Sequence, residues 1–149
     1  MPSAVVLQCP VLDLSLRHGR ATGETQPPVA ANNEVRLVAA MYLGGHPPDD
    51  PIVDPLSANL TGLPNMLIQA ATGDWCLADA KALAARARAH GVDARLQLFP
   101  IDAHAFHLFW SFLPEAADAL EAAGAFIREM TQAAPGPQRA TTTSARQAP

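Results

Sequence analysis

The sequence predicts an α/β fold, a three-stranded parallel sheet with flanking helices. Three short, mainly apolar segments at residues 4–9, 66–70 and 94–99 have the length and composition of strands. Helical patterns at 33–43, 77–90 and 115–130 alternate with them along the chain. Strands that alternate with helices imply right-handed crossovers and a sheet that helices cover on its faces.

The first strand and first helix flank a long loop. Residues 4–9 form a continuous apolar run that Pro10 ends, which is typical of a strand buried in a parallel sheet. Between Leu16 and Asn33 glycines, prolines and asparagines occur without apolar periodicity, which predicts a surface loop. Asn33 is then expected to cap a helix that runs to Leu43 and ends at two glycines.

The second half of the chain repeats the strand and helix pattern twice. Five prolines between residues 46 and 64 exclude a long helix there. The strand at 66–70 precedes a helix from Leu77 to His90, and the strand at 94–99 ends at Pro100. In the final helix, from Glu115 to Met130, we expect a core-facing stripe of residues spaced by three and four: Ala116, Leu120, Ala123, Ile127 and Met130.

Length and composition set further limits. A chain of 149 residues has room for one domain, which we assign to residues 1–132. Residues 133–149 are rich in Pro, Thr, Ser, Gln and Ala, and predict a disordered tail. The net charge of -4 argues against partners such as nucleic acid or anionic membranes. No apolar run is long enough for a membrane span, and no basic segment precedes the first one, so we expect a cytoplasmic protein.

The residues that follow the three strands are the candidates for chemistry, because ligand sites of open parallel sheets lie beyond the carboxyl ends of the strands. These residues are Asp13, Asp74 and His104. A carboxylate beside an imidazole fixes its tautomer and stabilises the imidazolium, so Asp74 and His104 form a candidate catalytic dyad. The alternatives are a helix cap for Asp74, an ordinary loop histidine for His104, and a surface or loop-orienting role for Asp13.

Other candidate groups receive structural interpretations. Cys9 and Cys76 lack the spacing of a disulfide framework or a metal site and are expected in the core. Asp102, His104 and His107 lack the framework of a recognisable zinc site, so we expect no metal, and no motif indicates a cofactor. His107 is expected to pack or to face solvent. A final group of aromatic residues is predicted to form core and pocket wall: Phe106, Phe109, Trp110 and Phe112.

Several segments together resemble a known enzyme family. They include Leu-Pro-Asn-Met-Leu-Ile-Gln-Ala at 63–70, Gly-Asp at 73–74, Leu-Ala-Asp-Ala at 77–80 and Asp-Ala-His-Ala-Phe at 102–106. Over residues 4–130 the chain resembles the carboxyl-terminal half of α/β-hydrolases of the hormone-sensitive-lipase type, which are carboxylesterases and lipases. The resemblance implies that Asp74 is the acid and His104 the histidine of a nucleophile–acid–histidine triad.

The chain departs from this family in its upstream motifs. It contains no G-x-S-x-G serine turn and no His-Gly-Gly-Gly oxyanion stretch. We therefore expect a hydrolase truncated before Met1 that is inactive alone, and that acts on a small-molecule carboxylic ester only if complemented. The alternative is a non-catalytic half-domain that self-associates, or pairs with another chain, through its exposed sheet edge. The family resemblance also allows an ordinary homodimer.

Overall fold

The computed structural model describes residues 2–15 and 29–132, with side chains of the second segment described from residue 33. The elements follow the predicted order: β1 (Val5–Gln8), α1 (Val29–Leu43), β2 (Met66–Ala71), α2 (Leu77–Ala89), β3 (Ala94–Phe99), a 3-10 turn (Phe106–Phe109) and α3 (Pro114–Gln132). Helix α1 begins four residues before Asn33, so the predicted Asn33 cap is wrong. The predicted tail at 133–149 and most of the predicted loop lie outside the described residues.

The three strands form one parallel sheet in the order β1-β2-β3, which confirms the predicted α/β class. In the register, Val5 pairs with Met66 and Met66 pairs with Ala94. All six residues of the central strand β2 are buried, which explains why five of them are apolar and only Gln69 is polar. Within the described residues β1 pairs only with β2, so its other edge faces no strand.

The two faces of β2 pack against different helices because successive side chains of a strand point in opposite directions. Ile68 and Ala70 belong to a core cluster with Leu83 and Ala87 of helix α2. On the opposite face, Leu67 packs with two residues of α3. Helices α2 and α3 therefore cover opposite faces of the sheet.

Three glutamines in register cross the sheet. Gln69, fully buried on β2, donates from Nε2 to Gln97 Oε1 at 2.9 Å and to the Ala119 carbonyl at 2.7 Å. Its Oε1 accepts a longer bond of 3.4 Å from Gln8 Nε2. The buried amide is thus satisfied, and it links the sheet directly to the backbone of α3.

The buried stripe of α3 differs from the predicted one. Ala116 and Ala123 are buried as expected, but Leu120 and Ile127 are 37% and 46% exposed. The remaining buried positions are Ala119 and Phe126. Small alanines let the helix come close enough for the Ala119 carbonyl to reach Gln69, and this approach turns the larger Leu120 and Ile127 outward.

The predicted aromatic core after β3 is only partly correct. Phe106 is fully buried, and its ring centroid lies 5.2 Å from that of Phe99. Phe109, Trp110 and Phe112 are 41%, 61% and 76% exposed, so their assignment to the core is wrong. They follow Phe106 along a short turn that runs outside the sheet, where only Phe106 and His107 are buried. Among the described residues, no helix combines the length and apolar character that crossing a membrane would require.

We expect Gln69→Leu to lower the free energy of unfolding by about 1–3 kcal/mol, since it removes the buried amide that donates to Gln97 Oε1 and to the Ala119 carbonyl. Urea denaturation followed by circular dichroism measures the loss. Gln132→Leu is the control: it removes an exposed amide at the end of α3 and should change stability by less than about 0.5 kcal/mol. Equal losses in both variants would contradict the role assigned to the buried amide.

Candidate active site

The backbones that leave β2 and β3 stay hydrogen-bonded beyond the end of the sheet. The Thr72 amide donates to the Phe99 carbonyl at 2.8 Å, and the Gly73 amide donates to the Ile101 carbonyl at 2.9 Å. A Cβ atom on Gly73 would lie 2.8 Å from the Cα atom of Asp102, closer than real contacts allow. The absence of a side chain at Gly73 therefore lets the two loops meet.

Asp74 begins the turn that leads into helix α2. Its side chain is completely buried, and Oδ1 accepts a hydrogen bond from the Cys76 amide at 3.2 Å. The N-cap position of α2 is occupied by Cys76, which makes no side-chain capping bond. The Asp74 carboxylate thus stabilises the turn before the helix. A carboxylate that accepts from the backbone amide two residues later forms an Asx turn.

His104 lies directly opposite this carboxylate. Its Nδ1 atom is 3.1 Å from Asp74 Oδ1 and 3.0 Å from Oδ2, and its side chain remains 38% exposed. The Trp75 ring lies beside the imidazole, with centroids 5.4 Å apart. With the proton on Nδ1 shared by the carboxylate, Nε2 is the lone-pair nitrogen of the neutral ring. The two predicted dyad residues are therefore brought together.

The environment keeps Asp74 ionised. Burial by itself would raise the pKa of this carboxyl, but hydrogen bonds from His104, the Cys76 amide and the thiols of Cys9 and Cys76 outweigh it. The pKa of Asp74 therefore lies below its usual value. A buried anion at Nδ1 stabilises a positive imidazolium, which is the electrostatic condition for proton transfer by His104.

Both cysteines are buried as predicted, but the sequence did not indicate that they lie beside the dyad. Cys76 Sγ is 3.5 Å from His104 Nδ1. Burial, followed by its hydrogen bond to Asp74, raises the pKa of Cys9 to about 11. Burial and the charge of Asp74 likewise raise the pKa of Cys76. Both groups therefore remain neutral thiols that donate toward the carboxylate.

Asp13 orients the loop after β1, and the surface interpretation of this residue is wrong. Asp13 is buried and accepts hydrogen bonds from the Ser15 amide, at 2.9 Å, and from the Ser15 hydroxyl. Asp79 of helix α2, which the sequence analysis did not single out, accepts from the amides of Leu12 and Asp13 at 2.7 and 3.0 Å. The sequence could have indicated Asp79 by its position, because an acidic residue in the first turn of a helix is favoured there.

His107 is buried rather than exposed to solvent. Its ring stacks on Phe106 with centroids 3.9 Å apart, and neither ring nitrogen has a hydrogen-bond partner among the described residues. Burial lowers the pKa of His107, against a smaller opposing effect of the Asp74 charge. His107 therefore packs as a neutral side chain behind the loop that carries His104.

An apolar groove of about 660 Å³ opens next to the dyad. Its walls come from the loop after β1, from α1 and from the proline-rich segment, and include Val11, Leu14, Val38 and Tyr42. Trp75 belongs both to this groove and to the His104 contact. The groove and the imidazole are thus connected through a single side chain.

Comparison with known proteins identifies the family. A sequence profile described as alpha/beta hydrolase fold matches residues 1–108. The chain belongs to this family. Two solved hydrolases of the hormone-sensitive-lipase type have closely similar structures. An esterase of the bacterial hormone-sensitive lipase family is 36% identical with a TM-score of 0.75, and a hormone-sensitive lipase from a metagenome library is 28% identical with a TM-score of 0.74.

Curated relatives agree with this assignment. An acetyl-hydrolase of Streptomyces hygroscopicus is 33% identical over 132 residues, and esterase LipU of Mycobacterium tuberculosis is 33% identical over 137 residues. These matches cover 88% and 87% of this chain but only 44% and 46% of the relatives. The two solved structures are covered to 44% and 45%, by 87% of this chain in each case. The chain thus spans a little under half the length of the proteins it matches, and it is similar to a partial α/β-hydrolase.

We expect Gly73→Ala to lower the free energy of unfolding by about 1–3 kcal/mol, because the added methyl group meets the backbone of Asp102. Urea denaturation measures the change. Gly124→Ala is the matched control: it lies in α3, its new methyl group would meet only the end of the Arg128 side chain at 3.4 Å, and alanine favours the helix. Gly124→Ala should therefore be neutral or stabilising, and an equal loss in both variants would contradict the close approach at Gly73.

The lowered pKa of Asp74 predicts a pH dependence of stability. Its folded-state pKa is below the unfolded value of 3.8, so the unfolded state binds more protons and stability falls as pH falls through this range. Between about pH 5 and about pH 3, the urea midpoint of Asp74→Asn should fall less steeply than that of the wild type. Identical slopes in the two proteins would show that Asp74 does not contribute this linkage.

Proposed function

We propose that this chain supplies the acid and the histidine of a carboxylic-ester hydrolase. The observation that carries the proposal is the contact of His104 Nδ1 with both Asp74 oxygens, at 3.0 and 3.1 Å, at the carboxyl edge of a parallel sheet. In this family a nucleophile, an acid and a histidine follow one another along the chain. Asp74 and His104 occupy the second and third places in that order.

The proposed chemistry gives the two residues different roles. His104 takes the proton of a serine hydroxyl as that oxygen attacks the ester carbonyl, and then gives the proton to the departing alcohol. Asp74 holds the imidazole in place through Nδ1 and stabilises its positive form. A water molecule, activated in the same way, then releases the acid from the acylated serine.

The nucleophile and the oxyanion donors come, in this proposal, from polypeptide outside this sequence. The five serines of the chain, including Ser15 and Ser57, all lack a glycine two residues before and after them. A serine turn is needed to present the nucleophile, and backbone N–H donors are needed to stabilise the oxyanion of the tetrahedral intermediate. We therefore expect the chain by itself to have no esterase activity.

The apolar groove supports a small-molecule ester as the substrate. Trp75 borders the groove and the His104 ring, so a hydrocarbon part of an ester could lie in the groove while its carbonyl approaches the dyad. The names of the matched relatives, which include acetyl-hydrolase, esterase and carboxylesterase/phospholipase, point to the same reaction class. They do not favour the alternative of a non-catalytic, self-associating half-domain.

A chimera tests the proposal. In it, this chain replaces the matched segment of the Streptomyces hygroscopicus acetyl-hydrolase, and hydrolysis of p-nitrophenyl butyrate is measured. We expect the chimera to be active and the chain alone to be inactive. His104→Ala and Asp74→Asn should each lower kcat at least about 1,000-fold in the chimera, as losses of triad members do.

The chain contains a matched control for these variants. His46 Nε2 lies 2.9 Å from Asp50 Oδ2, a histidine–carboxylate pair of similar length on the surface of the proline-rich segment. His46→Ala should leave kcat unchanged. An active chimera whose rate survives His104→Ala would overturn the proposal, and hydrolysis by the chain alone that depends on His104 would show that it contains its own nucleophile.

A further inference from the structure

The ends of all three strands bring metal-binding atoms to one place. Cys9 follows β1, Asp74 follows β2 and His104 follows β3. One ligand atom from each (Sγ, a carboxylate oxygen and an imidazole nitrogen) lies within 4.8 Å of the other two. The three residues are far apart in the sequence, so no motif of fixed spacing predicts the group.

The backbone at Cys9 is held in an unusual conformation that points its thiol into this group. Its φ angle is +47°, in the left-handed region that residues with a side chain avoid. Pro10 follows, and a residue before proline favours an extended conformation. The Cys9 amide nevertheless donates to the Gln69 carbonyl at 2.7 Å, and its thiol hydrogen-bonds the Asp74 carboxylate. Strain of this kind persists only where the surrounding contacts impose it.

The set of donors is selective for one class of ion. A thiolate, an imidazole and a carboxylate together suit Zn²⁺, Co²⁺ and Cd²⁺, whereas Mg²⁺ and Ca²⁺ prefer oxygen ligands. Cys9 and Asp74 are buried, and His104 is partly exposed, so the group opens to solvent on the histidine side. Three protein ligands and one open position are the arrangement in which zinc exchanges its fourth ligand.

We propose that Cys9, Asp74 and His104 form a binding site for a thiophilic divalent cation, of which Zn²⁺ is the physiological representative. The Cys9 thiol releases its proton to solvent as it becomes a ligand. When Nδ1, the imidazole nitrogen that faces Asp74, ligates the ion, the proton of the neutral ring is carried on Nε2 instead, and Nε2 can then no longer accept the proton of a serine. Cation binding and the acid–base role of the dyad therefore exclude each other, and the ion acts as an inhibitor at this edge of the sheet.

Cobalt and zinc titrations of the purified chain test the site without any activity measurement. We expect CoCl₂ to bind at one ion per chain and to produce a thiolate-to-cobalt charge-transfer band, which ZnCl₂ then removes. Cys9→Ser should abolish the band. Both Cys9→Ser and His104→Ala should weaken Zn²⁺ binding, measured by calorimetry, at least about 100-fold, because even the loss of a hydrogen bond to a ligand costs 10- to 100-fold.

Two controls separate this site from other zinc ligands in the chain. Cys76→Ser removes the second buried thiol, which lies outside the group of three, and His46→Ala breaks the surface pair with Asp50. His46→Ala should keep the wild-type affinity, and Cys76→Ser, whose hydroxyl can still donate to Asp74, should lose far less affinity than Cys9→Ser. Circular dichroism verifies the folding of Cys9→Ser. If this variant does not fold, the zinc affinity of His104→Ala tests the site instead, because His104 is partly exposed and its removal disturbs the core less.

The proposal is overturned if the cobalt band is absent, if zinc affinity is unchanged in His104→Ala, or if Cys76→Ser loses as much affinity as folded Cys9→Ser. None of these results depends on esterase activity. Failure of the cation site therefore leaves the proposed hydrolase role of the dyad to its own test.

Discussion

The joined backbones after β2 and β3 are the constraint on which the site depends. Parallel pairing brings Ala71 beside Phe99, and the bonds from Thr72 and Gly73 extend this pairing past the sheet. Only because Gly73 has no side chain can Asp102 come so close. Asp74 is the next residue after Gly73, and His104 is two residues after Asp102. Because these short segments start from one close backbone contact, the carboxylate and the imidazole have little freedom to separate.

The two members of the dyad differ in burial and therefore in the roles they can perform. The Asp74 side chain is inaccessible to solvent, whereas the His104 side chain is 38% exposed. A carboxylate out of water keeps its charge only because several donors face it: His104, the Cys76 amide and two thiols. The exposed histidine can meet a reactant, while the buried acid sets its orientation. The same crowding of donors around one carboxylate produces the group that we propose as a cation site.

Packing of small residues decides where the helices lie. The alanines of α3 allow its backbone to reach the buried Gln69, and this bond ties the helix to the row of glutamines across the sheet. Asp79 performs a similar task on the other side by holding the amides of Leu12 and Asp13. Buried polar groups therefore fix the positions of the elements that they join, because each buried group needs a hydrogen-bond partner.

The sequence by itself determined the class of fold, the order of strands and helices, and the two residues of the candidate dyad, because hydrophobic periodicity and strand ends are local properties of the chain. It misplaced the buried stripe of α3 and the aromatic residues after Phe106, since the rotation of a helix and the path of a turn depend on what they pack against. Only the tertiary structure decided that Cys9 and Cys76 lie beside the dyad and that Asp79 holds the loop after β1. Their positions result from contacts between residues far apart in the chain, and a spacing pattern carries no information about such contacts.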